Sequence, residues 1–349
     1  MKNVIIITST FTNEKKGGVP SYVENRAEYL SKKLNVSVFG LGKNQKSKNV
    51  IYKSFGDSSK FKYLFFFYWI KLVLLCFKHR KSLIEIHNIP VAFPIFFIFK
   101  TRYFFHGPSR LEAKIENKTL IEQRFNYFIE KICLKLSYKI FVVSKHFRKV
   151  LIKEHNLKNR RICLNLPKYK FKKSYFHEKK SNNKNLNFFI VRRLVKRTGV
   201  VPFVKLFLKM IELKDIPQNS KLIVAGEGPE KKNLIYLIDN SNYKKNVEYL
   251  GLISEEKKIE LYKKSDYNVV PTIKLEGFGL VIIEAGICGC MSIVTNVDAM
   301  PEVIGYLDNQ GLIYELNESS VFNTFKLLKK DLYDKKNLHL VTKKKFFFD

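Results

Sequence analysis

Short apolar runs recur along the chain, each followed by a stretch with helical spacing. In the first half the runs Val4–Ile7, Val36–Gly40, Leu83–His87, Tyr103–His106 and Ile140–Ser144 read as strands. In the second half Leu186–Val191, Lys221–Ala225, Val247–Leu250, Tyr267–Val270 and Ser292–Thr295 read the same way. Short runs that are apolar on both faces are the pattern of strands buried inside a parallel sheet. Between them, apolar positions three and four apart predict helices over Pro20–Leu34, Tyr63–Lys78, Leu120–Leu136 and Lys145–Glu154. Strands alternating with helices predict an α/β protein with parallel sheets.

A length of 349 residues fits two such domains. The Lys-, Asn- and Ser-rich stretch Lys168–Asn187 interrupts the pattern and reads as a linker. The expected organisation is a first Rossmann-like domain over 1–170, a basic linker over 171–187, a second Rossmann-like domain over 188–335 and a basic tail over 336–349, frayed or surface-bound. The first residues, Met1 to Thr8, carry an apolar run too short for a secretory signal and read as the first buried strand.

Composition changes the picture in two respects. At 46% hydrophobic residues the chain can build cores and is not disordered. Its formal net charge is +33, which predicts attraction to nucleic acid, anionic lipid or phosphorylated ligands. From Lys145 to Lys184 the chain holds fourteen Lys or Arg against two acids, with Tyr169, Phe171, Tyr175 and Phe176 interleaved. That segment could track a phosphate backbone or equally lie on an anionic membrane, and the plain alternative is a well-solvated linker. Five cysteines at irregular spacing, with no zinc-type pairing, fit a reducing cytosolic compartment. The segment Phe61–Phe77 has the length of a short membrane span, but Lys62 and Lys71 interrupt it. A span, a helix with an aromatic face at the membrane interface and a buried core helix all remain open readings.

Candidate chemistry collects at strand ends. Gly17 and Gly18 follow the first strand and open a helix, whose N-terminus favours negative charge. His106-Gly107-Pro108 ends another strand. Arg192-Arg193-Leu194-Val195-Lys196-Arg197-Thr198-Gly199 and Ala225-Gly226-Glu227-Gly228 end two more. The most informative stretch is Glu276-Gly277-Phe278-Gly279-Leu280-Val281-Ile282-Ile283-Glu284-Ala285. Its glycines favour a loop around Glu276, with a helix starting just after it and Glu284 inside that helix. In an open α/β sheet, ligands bind at the carboxyl ends of strands. Two such sheets facing one another would make a deep cleft.

Taken together, EGFGLVIIEAGICG, the later Pro301-Glu302-Val303-Ile304 and LIVAGEGPEKKNL from Leu222 resemble the bacterial retaining glycosyltransferases of family 4, from about Val4 to about Ile304. The resemblance implies the GT-B fold, two Rossmann-like domains facing a central cleft, and a nucleotide-sugar donor held mainly by the second domain. It implies that Glu284 holds the ribose and Glu276 the donor sugar. Gly277, Phe278 and Gly279 would lie near sugar and phosphates through their backbone amides, and Leu280 and Val281 against the nucleotide. Gly226 belongs to the same donor-binding set. Arg193 would bind the diphosphate, His106 would face the donor sugar, and Gly17 and Gly18 would meet the donor phosphate. The chain departs from the family where Arg192 replaces a Gly and Thr198 replaces a Lys; Arg197 is the natural substitute, with Lys196 second.

The implied reaction is metal-independent and retaining transfer of a hexose from a UDP- or GDP-type donor to a hydroxyl, with no further cofactor. The charge and the aromatic segment suggest a lipid-linked saccharide acceptor in capsule, O-antigen or exopolysaccharide assembly. The enzyme is then expected to be peripheral on the cytoplasmic face of an anionic membrane, without a specific nucleic-acid partner. An epimerase of the same fold, a basic nucleic-acid-binding protein and, given Arg192 and Thr198, an inactive scaffold are the competing readings.

Overall fold

The computed structural model describes residues 3–11, 18–47, 49–115, 117–157, 161–172, 175–176, 185–329 and 332–348. Two compact units divide the chain, the first spanning Met1–Lys170 and the second Phe171–Phe347. Gly17 and residues 177–184 of the expected linker lie outside the described residues.

The first unit contains strands β1 (Asn3–Thr10), β2 (Asn35–Leu41), β3 (Gln45–Lys46), β4 (Val50–Gly56), β5 (Leu83–Ile86), β6 (Thr101–Phe105), β7 (Lys139–Val142), β8 (Ile162–Leu164) and β9 (Tyr169–Lys170). Its helices are α1 (Gly18–Ser31), α2 (Phe61–Lys78), α3 (Ile89–Ala92), α4 (Ile95–Ile98), α5 (Ser109–Ile115), α6 (Leu120–Leu136) and α7 (Lys145–His155). Eight strands form one sheet in the order β3-β4-β2-β1-β5-β6-β7-β8. All neighbours are parallel except β3 and β4. Val4 lies beside Val36 and Ile6 beside Val38, and these residues bury with Val23 and Ala27 of α1. Local chemistry sets the helix starts. Thr119 and Glu122 form a reciprocal capping box at α6, and Ser144 accepts from the Phe147 N–H at α7.

The second unit contains β10 (Asn187–Val191), β11 (Lys221–Ala225), β12 (Val247–Gly251), β13 (Tyr267–Val270), β14 (Met291–Thr295) and β15 (Gly311–Tyr314). Its helices are α8 (Val200–Glu212), α9 (Lys231–Asp239), α10 (Glu255–Lys264), α11 (Leu280–Ile287), α12 (Met300–Tyr306), α13 (Glu318–Lys326) and α14 (Lys335–Phe346). The sheet is wholly parallel, in the order β12-β11-β10-β13-β14-β15. All four residues of β13 are buried, as a central strand with helices on both faces requires.

Two features differ from the sequence reading, and a third selects among its open alternatives. The aromatic residues of the expected linker join the second unit: Phe171 and Tyr175 pack against a core containing Phe189, Tyr262 and Ala285. The expected basic tail is helix α14, because Leu338, Thr342 and Phe346 share a face that is buried. Helix α2 is neither wholly buried nor a span. Tyr68, Leu72 and Cys76 enter the core while the opposite side is exposed, and among the described residues no helix is long and apolar enough to cross a membrane.

Candidate functional site

Strand order locates the functional edge of each sheet. In the second unit the chain runs outward from β10 through β11 to β12, then returns to the other side of β10 with β13. The strand order therefore reverses between β10 and β13, and open α/β sheets bind ligands at the carboxyl ends of strands at such a point. The loops after β10 and β13 carry Arg192 to Thr198 and Thr272 to Gly279. They are laced together: the Ile273 N–H donates to the Arg197 carbonyl at 2.8 Å, and Arg197 Nη1 donates to the Leu275 carbonyl at 2.8 Å. The third loop, after β11, also comes close. A Cβ at Gly226 (φ +132) would stand 1.9 Å from the Arg192 carbonyl oxygen, so only glycine fits.

Glu276 has a partner that the sequence reading did not assign. The Arg192 guanidinium donates to Glu276 and, at 3.1 Å, to Thr272 Oγ1. Both side chains are largely buried, at 7% and 17% exposed, so the pair excludes most water. The Glu276 N–H in turn donates to Asp298 Oδ2 at 2.9 Å. Arg192, a departure from the family pattern, thus restrains the carboxylate expected to read the sugar. The two residues are 84 positions apart, and nothing in either local motif signals the pairing.

The turn after Glu276 is fixed by its aromatic residue. The Phe278 ring is buried against Tyr306 and Phe346, with ring centroids 6.4 and 5.9 Å away, so only its backbone can meet a ligand. Gly279 then takes a left-handed conformation (φ 76, ψ 61) and caps α11. A Cβ there would stand 2.6 Å from the Met300 methyl carbon. Leu280 and Val281 form the half-buried first turn, and Glu284 lies one turn further in.

Glu284 meets Lys258 of α10 at 3.0 Å, and Lys258 also meets Glu255 at 2.8 Å. Burial opposes the charge on this ammonium, but the two carboxylates outweigh it and raise the Lys258 pKa above the ordinary lysine value. Among the expected phosphate ligands, Arg197 braces the loop through Leu275. Thr198 is buried and donates to the carbonyls of Arg193 and Val195. Arg193 and Lys196 are exposed and have no side-chain hydrogen bond or ion pair among the described residues. With Lys274 of the loop after β13, also exposed, they are cations at this edge available to an anion.

In the first unit the strand order reverses between β1 and β5. Gly18 opens α1 beyond β1. His87 stands just beyond β5, its N–H donating to the Ile7 carbonyl at 2.8 Å, and His106 stands just beyond β6. His87 Nδ1 and His106 Nε2 are 2.9 Å apart, so one ring donates and the other accepts. Phe104 stacks on His87 at 4.5 Å, and Tyr22 of α1 stands edge-on to His106 at 5.2 Å. Tyr22 accepts from Asn165 Nδ2 at 2.5 Å, and Arg26 holds the buried Glu85 through two bonds of 2.6 and 2.7 Å. Sequence reasoning does not single out His87, Tyr22, Arg26 or Glu85. The one available signal was the placement of His87 at a strand end, the same property that marked His106.

Burial alone pulls the His106 pKa down to about 4, and burial reinforced by His106 and Arg26 pulls His87 down as well. Both rings are neutral at pH 7 and suited to hydrogen bonding rather than to proton delivery. A depressed base binds fewer protons folded than unfolded. Its contribution is intact above the unfolded value near 6.5 and is lost as pH falls towards 4. For His106 the loss is about 3 kcal/mol at full extent. Denaturant unfolding at pH 7.5 and pH 4.5 should therefore show a smaller acid loss in His106→Asn than in the unsubstituted chain. Equal losses in the two proteins would count against the neutral histidine pair.

Residues 171–341 match the profile of the family described as glycosyl transferases group 1. The chain is 28% identical over 319 residues to an uncharacterised glycosyltransferase, MJ1178, of Methanocaldococcus jannaschii, covering 86% of this chain and 81% of that protein. It is 26% identical over 193 residues to the amylovoran biosynthesis glycosyltransferase AmsD of Erwinia amylovora, covering 54% of this chain and 52% of AmsD. Other curated relatives are matched over about a third of their length. Among solved structures, HepE of Anabaena in complex with UDP and glucose superimposes with a TM-score of 0.73 at 13% identity, covering 99% of this chain and 96% of that one. At that identity the likeness establishes a shared fold, that of the two-domain GT-B proteins.

Proposed function

We propose, from the premise that residues 171–341 belong to the glycosyl transferases group 1 family, that the chain transfers a hexose from a nucleoside diphosphate sugar to a saccharide hydroxyl during cell-surface polysaccharide synthesis. One observation carries the reading. A single sheet edge at the strand-order reversal brings together a restrained carboxylate (Glu276), a glycine turn opening a helix, a second carboxylate one turn inside it (Glu284) and two uncommitted cations (Arg193 and Lys196). Glu284 anchors the ribose, Glu276 reads the sugar hydroxyls, and the cations offset charge on the diphosphate. Taken by itself, the first unit offers His106, neutral at the carboxyl edge of its sheet, as a hydrogen-bonding group for a sugar hydroxyl.

The new bond joins the acceptor oxygen to the anomeric carbon while the bond from that carbon to the phosphate oxygen breaks. The acceptor proton passes to the departing diphosphate, which needs no separate base. Attack from the face the leaving group vacates retains the anomeric configuration. The similarity to AmsD, an amylovoran biosynthesis glycosyltransferase, supports a place in polysaccharide synthesis, and the UDP complex of HepE supports UDP-sugars as the first donors to try.

The test is a thermal-shift screen of UDP-, GDP-, ADP- and dTDP-sugars, followed by product analysis with the labelled donor in excess EDTA. A donor at 100 times its dissociation constant should stabilise by about 2.7 kcal/mol. Absence of a shift with all four classes refutes the reading. A product free of acceptor, such as an isomerised donor, points to an epimerase instead.

A further inference from the structure

We propose that the outward face of α2 in the first unit is a docking surface for an anionic lipid bilayer. A helix packed on a sheet normally turns its apolar stripe inward and its polar residues outward. Helix α2 is apolar on both sides. Tyr68, Leu72 and Cys76 are buried, while Phe66, Phe67, Ile70, Leu74 and Phe77, at spacings of three and four, are all exposed. Tyr63 at the start of the same stripe is 85% exposed. The apolar surface continues beyond the helix. Trp69 Nε1 donates to the Pro90 carbonyl at 3.0 Å, Phe77 meets Phe99 at 5.0 Å, and Phe97 of α4 is exposed. A contiguous exposed apolar patch of this kind marks an interaction site.

Charge selects the occupant. Between Asp57 and Glu112 the chain has one acid, Glu85, which is buried in its bonds to Arg26. In the same interval Lys60, Lys71, Lys78, Arg80, Lys81 and Lys100 are exposed. A second copy of this chain docking face to face would bring the same cations against each other. A bilayer with anionic headgroups accepts both components, taking the aromatic and aliphatic side chains into its interface and the lysines against its charge. Each basic residue near such a surface strengthens binding about fivefold. Eighteen residues of helix span ~27 Å, enough to lie in the interface plane.

Trp69 is the only tryptophan of the chain, so the unsubstituted protein reports on this face. The full chain is mixed with vesicles of phosphatidylcholine, alone or with 30 mol% phosphatidylglycerol, at low and high salt and without donor. Sedimentation should show binding to the anionic vesicles at least tenfold tighter than to the neutral ones, weakened by salt. Lipids brominated high on the acyl chain should quench Trp69. The combined substitution Phe66→Ser, Phe67→Ser and Leu74→Ser should weaken binding at least tenfold with an unchanged melting temperature. Bound protein with unquenched Trp69 overturns the proposal even if the variant fails to fold. No vesicle binding also overturns it, as does a dimer in solution that the same substitutions dissociate. Because no donor is present, these outcomes are independent of the transferase reading.

Discussion

Replacing Arg192 with alanine should cost the second unit about 3 kcal/mol of stability, whereas replacing Glu276 with glutamine should cost it little and abolish most transfer. The asymmetry follows from the pair's burial. Removing one member of a largely buried ion pair leaves the other desolvated and uncompensated, a cost of about 3–5 kcal/mol for fully buried groups and at the low end here because Glu276 retains 17% exposure. Glutamine keeps the shape of the glutamate and can still accept from Arg192, so its cost is that of one weakened hydrogen bond, about 1 kcal/mol. Its effect on chemistry is larger. If Glu276 reads the sugar in the transition state, loss of its charge should lower kcat/KM by about 10²–10³-fold, as for other preorganised polar contacts. Denaturant unfolding and donor-labelled kinetics on Arg192→Ala, Glu276→Gln and the double variant measure both effects. The double variant should be more stable than Arg192→Ala alone, because it no longer strands a charge. A fully stable Arg192→Ala would refute the pairing, and a fully active Glu276→Gln would refute the role of the carboxylate.

The same pair marks the limit of what the sequence could reveal. The buried strands were legible because a central parallel strand is apolar on both faces, as Tyr267–Val270 is. The glycine turn before α11 was legible because a left-handed cap and a buried ring demand Gly279 and Phe278 locally. Long-range partners carry no such signal. Arg192 reads as a mere departure from a pattern until the fold brings it to Glu276, and His87 reads as an ordinary strand-end residue until it meets His106. Helix α2 was ambiguous for a different reason. Its two apolar stripes have the same period, so spacing predicts the helix and is silent on which side faces out. In α14 the lysines of one face conceal Leu338 and Phe346 on the other, so the stretch reads as a basic tail. Strand β4 escapes the pattern because Lys53 and Ser54 break the apolar run that identifies its neighbours.

Glu284→Gln should weaken nucleotide binding by about 30- to 100-fold, equivalent to about 2–2.7 kcal/mol. The estimate rests on the charge. A ribose diol donating to a carboxylate makes charge-assisted hydrogen bonds of about 1.5–3 kcal/mol, and the amide offers one neutral acceptor in their place. Lys258 sharpens the test, because it already occupies part of the Glu284 carboxylate at 3.0 Å. A carboxylate has about four lone-pair sites, so one ammonium contact leaves room for a diol. In that case Lys258 holds Glu284 in position, and Lys258→Met should loosen nucleotide binding by less than tenfold. If the ribose had to displace the ammonium, the same substitution would tighten binding by removing a competitor. Calorimetric titration of both variants with the nucleotide selected by the thermal-shift screen separates these cases. Affinity within twofold of the unsubstituted chain for Glu284→Gln removes the carboxylate from the donor site. Tighter binding by Lys258→Met would keep Glu284 there and make Lys258 a gate that the donor must open.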